Sequence, residues 1–103
     1  MKQFENLLVT VSEECAEIQQ AVSKALRFGL SNHHPDRPNV TNADEIVTEY
    51  YQLSALITSL QQNGVLPTPS DYEIGIIMHE KLRSVAKWQE VSFDCHTLQG
   101  KDV

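Results

Sequence analysis

The residues with most chemistry to offer are acids that crowd the apolar faces of amphipathic stretches. In SEECAEI, residues 12–18, Glu13, Glu14 and Glu17 run beside Val11, Cys15 and Ile18. Further along, NADEIVTEYYQL repeats the arrangement, with Asp44, Glu45 and Glu49 among Ile46, Tyr50 and Leu53. Carboxylates held close together repel, and their pKa values rise unless a cation sits among them. A set of oxygen ligands of this kind suits Mg²⁺ or Mn²⁺ and not zinc.

Whether the acids meet depends on the helices that carry them. At about 100° per residue, Phe4, Leu7, Leu8, Val11, Cys15, Ile18, Val22, Ala25 and Leu26 form one apolar stripe. With Val11 as its centre, Glu14 lies about 60° and Glu17 about 120° to the same side. Ala21, Lys24 and Phe28 continue that flank, while Glu13 falls near the opposite face and reads as solvated. In the second stretch Ile46, Tyr50, Leu53, Ile57 and Leu60 make the stripe. Glu49 lies about 60° and Glu45 about 100° to one side of Ile46, with Gln52 and Leu56 extending the flank; Asp44 and Thr48 point away. Two antiparallel helices packed on these stripes would bring Glu14, Glu17, Glu45 and Glu49 face to face. The plainer reading, glutamates as helix formers on a solvated flank, competes with this on helix geometry alone.

Three segments carry helical period. The first runs from about residue 2 to 28 and closes on Gly29, a residue suited to the position after a helix. The loop LSNHHPDRPNV follows. Thr41 or Asn42 caps the second helix, Asn42 with Glu45 resembling a capping box, and the helix stops near Gly64. VLPTP cannot be helical throughout. Ser70 with Glu73 signals a third helix, reaching about residue 89; it carries Ile74, Ile77, Met78, Val85 and Trp88 as its stripe, with Lys81 inside it. A lysine there either snorkels outward or meets a buried anion. No stretch alternates well enough for a strand. The expectation is an all-α helical bundle of three main helices, with a short C-terminal helix in the ambiguous tail.

At 103 residues the chain suits one domain, with a core over about 5–90 and a tail over 91–103. A domain this small has limited core, so a partner subunit is expected. Net charge is −6 and there is no basic stripe, which argues against binding nucleic-acid polymers. No apolar run approaches the ~18 residues of a membrane span. Cys15 and Cys95 make no disulfide framework, and no positive region followed by an apolar core marks a signal peptide. The cytoplasm is the expected location.

The segments EECAEIQQAVSKALRFG, NADEIVTEYYQLSALI and KLRSVAKW together resemble the MazG-like, all-α nucleoside triphosphate pyrophosphohydrolase superfamily, over about residues 5–90. The likeness is strongest to small single-domain members of the kind found in phage genomes. Glu14 and Glu17 match the family's E-x-x-E, and Lys24 with Arg27 the basic K-x-x-R that follows. The second acidic motif departs from the usual E-x-x-D: with Glu45 first, Thr48 occupies the aspartate position and Glu49 stands one residue later. Glu49 shares Glu45's flank, as i,i+4 pairs do, and is taken as the substitute ligand. Ser84 stands where a second lysine is frequent in the basic segment.

The resemblance implies helices assembled as a homodimer or homotetramer in a bacterial cytoplasm, with Mg²⁺ (or Mn²⁺) held by Glu14, Glu17, Glu45 and Glu49. The substrate would be a nucleoside triphosphate, in particular a deoxynucleotide, cleaved by water at the α-phosphorus into a nucleoside monophosphate and pyrophosphate. Glu17 would orient or deprotonate the water, and Lys24, Lys81, Arg27 and Lys87 would stabilise the leaving pyrophosphate. The alternative is a nucleotide-binding or sequestering module of the same fold without turnover, which the Thr48 departure keeps open; a helical interaction protein without ligand is a third.

Other residues carry less. His33, His34, His79 and His96 have no zinc-ligand spacing. Arg37, in HHPDRP, could touch phosphate, though it reads more readily as a surface arginine. Of the aromatic residues, Tyr50 and Trp88 are expected in core or subunit packing, and Phe28, on the acid flank, is the candidate for stacking on a base.

Overall fold

A computed structural model describes residues 1–95; the expected C-terminal helix and His96 lie outside the described residues. The described chain is all-α, with three helices and no strand: α1 (Gln3–Phe28), α2 (Asn42–Gln62) and α3 (Asp71–Asp94). It divides into two compact units, Met1–Thr68, which holds α1 and α2, and a second beginning at Pro69, which holds α3. No helix among the described residues is long and apolar enough to cross a membrane.

The helix ends follow from local chemistry. α1 stops where Gly29 takes φ +95°, its N–H donating to the Ala25 carbonyl at 2.8 Å; a side chain there would be strained. The cap of α2 selects between the two residues expected from the sequence. Thr41, not Asn42, is the N-cap: its Oγ1 accepts from the Asp44 N–H at 3.1 Å, and Asp44 Oδ2 accepts from the Thr41 N–H at 2.9 Å. That reciprocal pair satisfies two donors that the helix leaves open. Asn42 is buried instead, and its side-chain amide donates to the Gly29 carbonyl at 2.8 Å. Ser70 and Glu73 form the box expected for α3. α3 runs five residues past its expected end, to Asp94, because no glycine or proline interrupts it.

α1 and α2 pack antiparallel: Lys24 meets Glu45 near one end, and Leu7 and Leu60 line one hollow at the other. The seam keeps Leu7, Val11, Ile18 and Ala25 of the stripe expected on α1 and Ile46, Leu53 and Leu60 of that expected on α2, but is shifted from both. On α1 the covered line runs Leu7, Val11, Glu14, Ile18, Ala21, Ala25; on α2 it runs Asn42, Ile46, Glu49, Leu53, Leu56, Leu60. Both alternate steps of four and three, the repeat of paired helices packing knobs into holes. Each seam is rotated toward the acid flank. As a result Cys15, Phe4, Leu8, Val22 and Leu26 on α1, and Tyr50 on α2, are exposed. In this unit Ala21, Ala25 and Leu60 form the buried apolar core, with Leu60 fully enclosed. α3 buries no residue, and Trp88, expected in core or subunit packing, is 62% exposed within the single chain and so is not a core residue of it.

Candidate functional site

The rotation of the seam puts Glu14 and Glu49 inside it, at corresponding positions of the two repeats. Glu17 joins them from the next turn of α1. One carboxylate oxygen from each of Glu14, Glu17 and Glu49 lies within 4.8 Å of the others, and among the described residues this is the one cluster of three or more acids, histidines or cysteines so close. Gln52, one turn beyond Glu49, completes the group. With its amide oriented to satisfy its hydrogen bonds, the nitrogen donates to Glu14 Oε1 at 3.1 Å and to Glu49 Oε2 at 2.9 Å.

The electrostatics follow from that crowding. Glu49 is pushed above its ordinary 4.5, first by hydrogen-bond contact with Glu14 and then by partial burial; Glu17 pulls the other way, and the charges of Glu14 and Glu45 push further. A proton or a cation among the three relieves the repulsion. The donors are hard carboxylate oxygens with one neighbouring amide, which suits Mg²⁺ or Mn²⁺ in the way soft ligands would not.

Glu45 is placed differently from the expectation of a fourth ligand. It lies one turn before Glu49 on the same flank, but its oxygens are taken by two cations. Lys24 Nζ sits 2.7 Å from Glu45 Oε2, and Arg37 Nη2 sits 2.6 Å from Oε1. The Glu45 side chain is only 13% exposed. Its pKa is held below 4.5, by the Lys24 hydrogen bond above all, against the cost of burial, with the charges of Lys24, Arg37 and His34 adding to the effect.

Between these two groups runs an open groove of about 590 Å³, lined by Glu17, Gln20, Ala21 and Lys24 from α1, Glu45, Thr48, Glu49 and Gln52 from α2, and Arg37 and Val40 from the loop. Its size is within the range of small-ligand sites. Thr48 was expected to point away. It lies about 160° from the stripe centre, yet only about 60° from Glu45, and the groove opens on that outer side, so Thr48 forms its rim.

A second hollow, of about 380 Å³, lies past Lys24, lined by Phe28, Asn32, His33, His34, Pro35 and Asn42 as well. Phe28 therefore stands beside the acid groove and not in it. Arg27 does not line the groove; its guanidinium lies 5.5 Å from the centre of the Phe28 ring. Lys81 and Lys87 are exposed on α3, in the other unit; Lys81 is thus not enclosed by an apolar stripe within the described chain. Arg37, weighed from the sequence as a phosphate contact or a surface arginine, lines the groove. The available signal was its position between Pro35 and Pro38, which fixes the backbone on both sides. No protein-family model, curated protein or solved structure matches this chain.

Proposed function

We propose that the chain is a Mg²⁺-dependent nucleoside triphosphate pyrophosphohydrolase of the MazG-like kind, as its motifs resemble. The observation that carries the reading is the convergence of Glu14, Glu17 and Glu49 from two antiparallel helices, beside a groove that Glu17 and Glu49 line together with Lys24 and Arg37. Acids for a metal and cations for phosphate around one groove are what hydrolysis of a phosphoanhydride needs.

In this reading Glu14, Glu17 and Glu49 hold the ion, with Gln52 orienting two of the three carboxylates. When bound, the ion supplies Lewis acidity, neutralising phosphate charge and making water easier to deprotonate. Glu17, the exposed member of the trio, takes the proton of the attacking water. The water oxygen bonds to the α-phosphorus as the bond from that phosphorus to the α–β bridging oxygen breaks, and pyrophosphate leaves with the electron pair. Lys24 offsets the charge that grows on the leaving group. Phe28, in the hollow past Lys24, offers a face for the base. The assignment of Arg27, Lys81 and Lys87 to phosphate rests on the family resemblance alone.

We further propose that the protein works as a homodimer or homotetramer. Leu8, Val22 and Leu26 of α1 and Ile77, Leu82 and Trp88 of α3 are all exposed, and apolar surface on this scale marks association. Light scattering at micromolar concentration should give a multiple of the 11.6 kDa chain; a monomer mass would end this part of the proposal.

The test of function is a panel of nucleoside and deoxynucleoside triphosphates with Mg²⁺, with EDTA as control. Pyrophosphate released without inorganic phosphate supports the reading. Thr48, where the resemblance expects an aspartate, favours a second reading, a module that binds the nucleotide without cleaving it. A nucleotide-dependent rise in Tm with no pyrophosphate released would select that one, and the absence of both would remove each.

A further inference from the structure

Arg37 enters the reading so far only as a cation on the groove wall, and its setting is unusual for a surface arginine. The loop joining α1 to α2 is tied down along its length. The Asn42 N–H donates to the Asn32 carbonyl at 2.7 Å and the Ala43 N–H to the Leu30 carbonyl at 3.0 Å. His33 and Thr41 form an isolated antiparallel bridge that closes its base. Within that frame stand two consecutive turns. The Arg37 N–H donates to the His34 carbonyl at 2.9 Å, and the Val40 N–H donates to the Arg37 carbonyl at 3.3 Å. Arg37 therefore ends one four-residue turn and begins the next. Pro35 and Pro38 occupy the second position of each, where the fixed proline φ favours the turn. Pro38 also restricts the backbone of Arg37, the residue before it. The loop spends this organisation on aiming one guanidinium at the groove.

What the guanidinium meets there is Glu45, which holds Lys24 with its other oxygen. One carboxylate thus parks the two cations of the groove wall. That leaves Glu45 doing a different job from Glu14, Glu17 and Glu49, since a carboxylate with both oxygens engaged by cations has little to offer a metal ion. A guanidinium released from such a pair presents a planar fork of donors suited to a phosphate.

We infer that Arg37 is a binding residue for the polyphosphate chain of the ligand, and that Glu45 is an internal counter-anion that competes with that chain for Arg37 and Lys24. This rests on the proposed triphosphate reading and extends it. The loop becomes the element that senses a multiply charged anion: an arriving phosphate displaces Glu45 from the cations, and a ligand too weakly charged to do so is not held.

The inference has a signature that a merely structural ion pair lacks. Removing either partner of a structural pair would shift ligand binding in the same direction. Here the two removals have opposite signs. The probe is inorganic tripolyphosphate with Mg²⁺, titrated by calorimetry against the full chain. Glu45→Gln should bind it several-fold more tightly than wild type, and Arg37→Gln about tenfold more weakly, the loss expected for one charged hydrogen-bonding contact. Mn²⁺ binding in the absence of phosphate should stay within about twofold in Glu45→Gln and fall about tenfold or more in Glu49→Gln, if only the latter is a ligand. Circular dichroism confirms that each variant is folded; Arg37→Lys, which keeps the charge on the loop, stands in for Arg37→Gln if that protein is not, and should bind about threefold more weakly because it loses the fork. Weaker tripolyphosphate binding by both Glu45→Gln and Arg37→Gln, unchanged binding by Arg37→Gln, or loss of Mn²⁺ by Glu45→Gln would each overturn the inference while leaving the triphosphate reading in place. No binding of tripolyphosphate by the wild-type chain would remove both.

Discussion

Glu45 and Glu49 stand one turn apart on the same flank of α2, and their surroundings treat them in opposite ways. Glu49 faces Glu14 and Glu17 and is pushed above its ordinary value, first by Glu14 and then by burial. Glu45 faces Lys24 and Arg37 and is held below it, first by Lys24. The same residue type on the same helix face thus serves as a site in need of a positive charge and as a site already supplied with two. The difference teaches that a run of acids on a helix does not define a ligand set. What stands across the groove divides it, and here the division separates an acid held among other acids from an acid held by two cations.

The largest expected effect breaks the acid trio. Glu17→Gln should lower pyrophosphate release by about a hundredfold or more, since it removes both charge and a proton acceptor, with the circular-dichroism spectrum unchanged. Glu13→Gln, on the opposite face of α1, should stay within about twofold. Equal losses in the two would mean that α1 presents a different face to the ligand.

Next in size is the stability of the seam that holds the two helices in register. Leu60 is fully buried, and Leu60→Ala should cost about 2–5 kcal/mol, read as a drop in the urea midpoint. Tyr50→Ala, on an exposed ring of the same helix, should cost far less in the monomeric unit. If it costs as much, Tyr50 is covered by a second copy.

The comparison itself can be read by titration. Carboxyl NMR without metal should show Glu49 titrating above 4.5 and Glu45 below it. The sign for stability follows. Glu49, with its folded pKa raised, contributes stability that is full below 4.5 and is lost as pH rises through its folded value. Glu45, with its folded pKa lowered, contributes stability present above 4.5 and lost as pH falls through its folded value. Glu49→Gln should therefore remove the loss on the alkaline side of 4.5, and Glu45→Gln the loss on the acid side. Added Mg²⁺ should lower the titration of Glu49 and leave Glu45 nearly where it was.

The smallest effect is at the rim. Thr48→Ala should change activity by about twofold or less, because a neutral hydroxyl on the outer edge of the groove adds little beside carboxylates. A loss of tenfold or more would place the rim against the ligand.

Much of this was written in the chain. The helical period, Gly29, Gly64 and the Ser70–Glu73 box mark three helices and most of their ends, because capping and backbone freedom are local properties. Glu14, Glu17 and Glu49 are legible as acids on one flank of each helix for the same reason: the wheel is set by 3.6 residues per turn. The tertiary structure decided what the wheel cannot. Each stripe is wider than the face one partner helix covers, so the sequence could not say which strip forms the seam; packing chose the 4–3 line through Glu14 and Glu49 and left Cys15 and Tyr50 outside. It decided the cap of α2, since Asn42 was drawn into the structure by Gly29 while Thr41 and Asp44 satisfied each other. And it decided the role of Glu45, because the pairing of an acid depends on which cation the fold sets opposite, and Arg37 reaches it only through a loop whose course no periodicity describes.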